Sequence, residues 1–341
     1  MRKSSNRILG LLACALFLAL ALQLAPLPAA PALAAEPVVI KAIMAWPQDC
    51  NCVVKYKRYI EEVNKRGKGK VEIKLLGGPE VVKPFEQLQA LRTGIADMTH
   101  TAADYYVGET IEGATPAMLD PTDLDKWLKG LRAGREVINQ AYREKSGVRQ
   151  MGVTVAGTGF RFMMAKPISG LDDLKGKRIR AFGTQGAKAV QYFGASPQTI
   201  PPAELYPALQ RGVVDGAIRA PDDAWSFGER DVYKSMIDAP MQLAPGSTFI
   251  ATRVWDKLPP DVQQLLTATS EEFEPQVLKY FFDSDQKSIE NLKAKGMKVI
   301  EIGAADKKRQ GEARTQFWED VIAKSPKYGA QLQTIMGPYT K

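Results

Sequence analysis

Hydrophobic positions open this chain as one block and then settle into two alternating periods. Ile8 to Leu27 is almost wholly apolar. Beyond it, Val38-Val39-Ile40-Lys41-Ala42-Ile43 predicts a strand. Val53, Tyr56, Ile60 and Val63, spaced 3, 4 and 3, mark one face of a helix that Gly67 and Gly69 end. Val71 to Leu76 predicts a second strand. Phe85, Leu88, Leu91 and Ile95 stripe the next helix, and Ala96 to His100 reads as a short third strand. Leu124, Trp127, Leu128, Leu131, Ile138 and Ala141 predict a helix broken near Gly134. Val148 to Ala156 and Phe160 to Ala165 read as two strands around Gly157-Thr158-Gly159.

The stretch Leu171 to Pro221 is a β-α-β unit with an extra short helix. Arg178 to Ala181 predicts a strand, Gly186 to Phe193 a helix closed by Gly194, and Pro201-Pro202 opens another that stops at Gly212. Val213 to Ile218 returns to the sheet. Strands alternating with helices of this length imply parallel pairing. Ligands of such sheets sit off the carboxyl ends of strands, which is where Arg180 and Arg219 fall.

Thr248 to Thr252 predicts a strand. From Pro259-Pro260-Asp261 a long apolar stripe runs through Val262, Leu265, Leu266, Phe273, Val277, Tyr280, Phe281, Ile289 and Leu292 to Gly296, with Pro275 as a candidate kink. A helix of about 35 residues would be about 50 Å long and outrun one lobe. Met297 to Ile302 predicts a strand and Asp306 to Ala323 a helix, followed by a short tail. Chain order therefore predicts an α/β molecule of two lobes with a hinge and a long helix spanning both. Residues 35–157 and 248–285 fall in the first lobe, 158–247 and 286–341 in the second.

The ends and the charges narrow the picture. Arg2, Lys3 and Arg7 precede the apolar block, Pro26, Pro28 and Pro31 break it, and Ala32-Leu33-Ala34 offers a small-residue cleavage site. Residues 1–34 thus read as a secretory signal peptide, which implies export to the periplasm. The 341 residues carry 46 Lys+Arg against 38 Asp+Glu, a net +8, of which the segment 1–34 supplies three. The remaining charges are interleaved, which permits steering of anionic solutes but argues against a nucleic-acid partner. Cys50 and Cys52 are either paired or two free thiols, and with His100 the one histidine a zinc site is not expected. No cofactor is implied.

Catalytic signatures are missing: no Gly-x-Ser-x-Gly, no His-Glu-x-x-His, and Gly170 to Lys177 is one residue too long for a phosphate loop. His100 reads as a packed histidine. An enzyme is not expected; recognition chemistry remains.

LKGKRIRAFGT, GASPQTIPPAELYPALQRGVVDG and VWDKLPPDVQQ resemble the extracytoplasmic solute-binding proteins of tripartite ATP-independent periplasmic (TRAP) transporters, and the resemblance covers nearly the whole mature chain in order. It implies a periplasmic binding protein fold, two lobes closing on a small organic acid, and delivery to membrane permease subunits. A monomer is expected. The alternative is a sensor that presents the bound carboxylate to a membrane receptor kinase. By the family pattern Arg180 clamps the ligand carboxylate and Arg161 assists; the guanidinium fork suits a carboxylate with two parallel hydrogen bonds. Trp46, Tyr105 and Phe182 are expected to wall the cleft. After Val213-Val214-Asp215-Gly216 the family carries polar, often amide-bearing residues, but Arg219 stands here. Arg219 either holds a second carboxylate or keto oxygen, or pairs with Asp222 or Asp223. The aromatic walls point to an aromatic or otherwise apolar acid, or a keto acid.

Overall fold

The structure, a computed structural model, describes residues 36–181 and 183–340. The signal peptide expected over 1–34 and the wall residue Phe182 lie outside the described residues. Among those described, no helix is long and apolar enough to cross a membrane.

Three parallel strands, β2 (Val71–Gly77), β1 (Val38–Met44) and β3 (Met98–Ala102), form one side of the first lobe. Helices α1 (Val54–Arg66) and α2 (Gln87–Thr93) connect them. Tyr56, Tyr59, Ile60 and Val63 are the buried face of α1, as their spacing predicts. The α2 stripe is shorter than predicted. Leu88 and Leu91 are buried, whereas Phe85 lies in the preceding 3-10 turn and Ile95 beyond the helix, both exposed.

Two predicted breaks are absent. Helix α3 (Leu124–Ser146) runs through Gly134 without interruption. Gly134 is there for space: a Cβ would lie 2.5 Å from Met336 Sδ. Likewise β4 (Val148–Met164) is one 17-residue strand, because β9 (Gln242–Ala251) pairs with it from Val148↔Ala251 to Phe160↔Gln242 and holds it extended past the glycines.

This β4–β9 ribbon joins the two halves. At one end β9 pairs with β3; at the other, Arg161–Met164 of β4 pairs antiparallel with β7 (Gly216–Arg219). Beside β7 lies β5 (Arg178–Arg180), parallel as predicted, and beyond it β6 (Ser196–Gln198), a parallel strand that the sequence reading did not include. Helix α4 (Gly183–Tyr192) follows β5; α5 (Pro202–Gln210) links β6 to β7; α6 (Pro221–Ser226) follows β7. Strand β8 (Ser235–Ile237) pairs with β4 and with β10 (Lys298–Ile300).

A short helix α7 (Thr252–Trp255) leads to α8 (Pro260–Ala294), 35 residues long. Its Val262, Leu266, Val277, Leu278 and Phe281 belong to the first lobe's apolar cluster, and its Ile289 and Leu292 to a second-lobe cluster. The helix therefore spans both. Pro275 does not interrupt it. Proline leaves the carbonyl four residues earlier without its helical donor, and Glu271 O accepts from Arg132 Nη2 at 2.8 Å instead. Buried Glu274 pins the same turn to α3 through Arg132 and Arg135.

The segment 286–341 divides between the lobes. Helix α9 (Ala304–Thr315) packs on α4, but Phe317, Trp318 and Val321 of α10 (Phe317–Lys324) and Leu332 and Met336 of α11 (Gly329–Met336) join the first-lobe cluster.

Candidate functional site

Three arginines meet on one face of the second-lobe sheet. Arg161 is the register partner of Arg219, and Arg180 that of Ala217, two residues before Arg219. Alternate residues of a strand share a face, so the guanidiniums converge where β5 and β7 end. All three are buried.

Their surroundings separate them. Arg161 donates to Gly159 O at 2.6 Å and to Asp238 at 3.3 Å. Arg219 donates to both oxygens of Glu229 (2.8–3.2 Å) and to Asp223 at 3.1 Å. Burial works against its charge, but Glu229 and Asp223 hold its pKa above the ordinary value. Of the two alternatives weighed for Arg219, the geometry is that of the internal ion pair, with Asp223 and with Glu229, which sequence reasoning missed. Asp222 is engaged elsewhere. Arg180 Nε donates to Ile200 O at 3.1 Å. Burial, and next the Arg219 charge, press its pKa below the ordinary guanidinium value.

The first-lobe face is aromatic and neutral. Trp46 follows β1, and Tyr105 sits in a 3-10 turn, Ala103–Tyr106, after β3. Their ring centroids are 6.4 Å apart, and both pack against the first-lobe and second-lobe clusters. Tyr105 is raised to about 12 by burial, against the pull of Arg180 and Arg219. Phe85, displaced from its predicted helix stripe, lies 4.6 Å from Tyr105. Behind Trp46, His100 stacks on Tyr56 at 4.6 Å and shares a 2.8 Å hydrogen bond with Thr154. Burial lowers His100 to about 3, so it is a neutral packing residue at ordinary pH.

The two faces touch. Gly183, at φ +67°, opens α4 against the other lobe: a Cβ there would lie 2.9 Å from Asp104 Cβ. Asp104 is buried at this seam, and burial raises its pKa to about 7. A second seam lies at Cys50–Cys52, which are disulfide-bonded. Between them, Asn51 donates to Asp222 at 2.8 Å and accepts from Tyr280 at 2.6 Å. Asp222 also accepts from Ser284 at 2.6 Å, and its backbone N–H donates to Asp285 at 2.9 Å. First lobe, second lobe and long helix are thus tied at one point.

Sequence reasoning also missed two glutamines. Gln185, in the first turn of α4, and Gln242, at the start of β9, are both fully buried. The one signal was Gln185 standing four residues before Ala189 on the buried helix face. No cluster of metal-ligating side chains occurs among the described residues.

A two-lobed α/β frame with a buried arginine at strand ends and an aromatic opposing wall is the geometry of a protein that encloses a small anion. Comparison with known proteins agrees. Residues 44–325 match the family model of bacterial extracellular solute-binding protein, family 7. The chain belongs to that family. This is the family of TRAP-transporter solute-binding proteins to which the sequence resemblance pointed, a receptor family rather than an enzyme family. It is 26% identical over 325 residues, 93% of this chain and 92% of the relative, to the C4-dicarboxylate-binding periplasmic protein of Rhodobacter capsulatus. It is 24% identical over 272 residues, 75% of this chain and 71% of the relative, to a monocarboxylate 2-oxoacid-binding periplasmic protein of Nostoc. Among solved structures, a TRAP solute-binding protein of Desulfovibrio salexigens with bound orotic acid superimposes with a TM-score of 0.79 at 20% identity, over 89% of this chain and 98% of its own.

Proposed function

We propose that this protein is exported to the periplasm, captures a small organic acid between its lobes and delivers it unchanged to the membrane permease subunits of a TRAP transporter. Its signal peptide would be removed after Ala34 or one residue later. The observation that carries the reading is Arg180: a guanidinium at a strand's carboxyl end, buried against the opposing lobe, with burial and Arg219 both pressing against its charge. A carboxylate in the cleft would offset both. Arg161 would assist, and Trp46 and Tyr105 would wall the ligand's carbon skeleton. Arg219 acts from behind, holding Asp223 and Glu229. The carboxylates after which the relatives from Rhodobacter capsulatus and Nostoc are named support the same class.

Titration calorimetry of Arg180→Ala tests this. Removing one partner of an enclosed charge pair costs about 3–5 kcal/mol, so affinity should fall by about two to four decades. Arg180→Lys should fail as well, because an ammonium cannot make the two-pronged contact. Wild-type affinity in Arg180→Ala would overturn the carboxylate anchor.

A further inference from the structure

Gln87 shows how this fold treats a buried amide: its Nε2 donates to Met44 O and Val82 O, and its Oε1 accepts from Thr99. Gln185 and Gln242 differ. Neither end of either amide has a hydrogen-bond partner among the described residues, though Gln185 is 1% and Gln242 0% exposed. Buried polar groups are nearly always satisfied, so two whole amides left unmet near one another call for a polar partner that is not part of the described chain.

The place adjoins Ala181, the residue after Arg180. Gly186, with no side chain, leaves the first turn of α4 open, and the point where its Cβ would sit is 3.9 Å from Ala181 Cβ and 4.0 Å from Gln242 Nε2. Ala181 directly follows Arg180, Gln185 directly precedes Gly186, and Gly183 of the same turn faces Asp104 of the other lobe. The amides thus flank the helix start that follows the arginine strand.

Resting on the carboxylate reading above, we propose that Gln185 and Gln242 read the end of the ligand away from its carboxylate, and that this end carries an O–H or N–H donor as well as an acceptor. A primary amide offers two donors and one acceptor. A keto oxygen only accepts, so a 2-oxo acid would leave both Oε1 atoms unmet. An alkyl or aryl acid would leave all four polar atoms unmet. A hydroxy acid, or an acid bearing an amide or lactam, meets both kinds. This reading departs from the apolar or aromatic acid expected from the wall residues alone.

Matched acids test it by calorimetry, after a broad panel of carboxylic acids has been screened by thermal shift. The pairs are malate against succinate, with oxaloacetate as the keto arm, and pyroglutamate against cyclopentanecarboxylate. The donor-bearing member of the binding pair should bind on the order of ten- to a hundredfold tighter. Gln242→Leu and Gln185→Leu should bring that ratio toward one, and neither should melt lower than wild type without ligand. Equal affinity within the binding pair, an unchanged ratio in both variants, or a strong drop in melting temperature would each overturn the amide subsite while leaving the Arg180 anchor standing. A panel in which no carboxylate binds would overturn the anchor and the subsite together.

Discussion

The two faces of the cleft are made from different chemistry. The second-lobe face is ionic: Arg161, Arg180 and Arg219 with Asp238, Asp223 and Glu229, all on or beside two strand ends. The first-lobe face presents Trp46, Tyr105 and Phe85, backed by a neutral His100. An ionic face fixes charge and direction but is costly to enclose; an aromatic face fixes shape and excludes water. Placing them on opposite lobes means that neither is complete until the lobes meet. On the proposed function, capture of the acid and closure would be one event, and the hydrogen bond from Asn51 to Asp222 would fasten the seam.

The largest effect on this contrast should come from the ionic face. Arg219→Ala leaves Glu229 buried and uncompensated, and should cost about 3–5 kcal/mol of folding stability. Thermal melting without ligand measures it; an unchanged melt would mean that Arg219 and Glu229 are not the scaffold of that face. Next is the seam. Asp222→Ala removes the acceptor shared by Asn51 and Ser284. Ligand should leave about tenfold faster, read by stopped flow, whereas an unchanged release rate would detach the seam from closure.

A smaller effect belongs to Asp104. The folded protein keeps its proton to about pH 7, while an unfolded chain releases it near 3.9. Between these values the folded state binds more protons than the unfolded state. Stability contributed by Asp104 is therefore lost as pH rises through that window and is flat above it. Asp104→Asn should flatten the fall in melting temperature between pH 4 and about 7. An identical slope in the variant would remove Asp104 from the buried seam.

What sequence reveals here follows from the range of the forces. Strands β5 and β7, the helices α4 and α5 between them, and α8 were legible because their periods are local, while the short β6 between the two helices was not; the position of Arg180 was legible because it closes a strand. The continuity of β4 was not, since it is imposed by β9 almost a hundred residues away. Gly134 read as a break when its role is to admit Met336. The helix predicted over Asp306 to Ala323 carried no sign that its end, with Phe317 and Val321, packs on the first lobe. Asp223 was visible as a neighbour of Arg219, but Glu229 reaches it only because the chain turns after α6. Gln185 and Gln242 lie 57 positions apart, and no pattern in either stretch marks them as a pair.

The account turns on a carboxylate enclosed between the lobes. Its most direct test compares, on the wild-type protein, the acid it binds and the same molecule with that carboxylate converted to a primary amide. Shape is conserved and only the charge and one acceptor are lost. Calorimetry should find the amide weaker by at least about a hundredfold, as removal of one member of an enclosed charge pair requires. An amide that binds as tightly as the acid would contradict the anchor at Arg180.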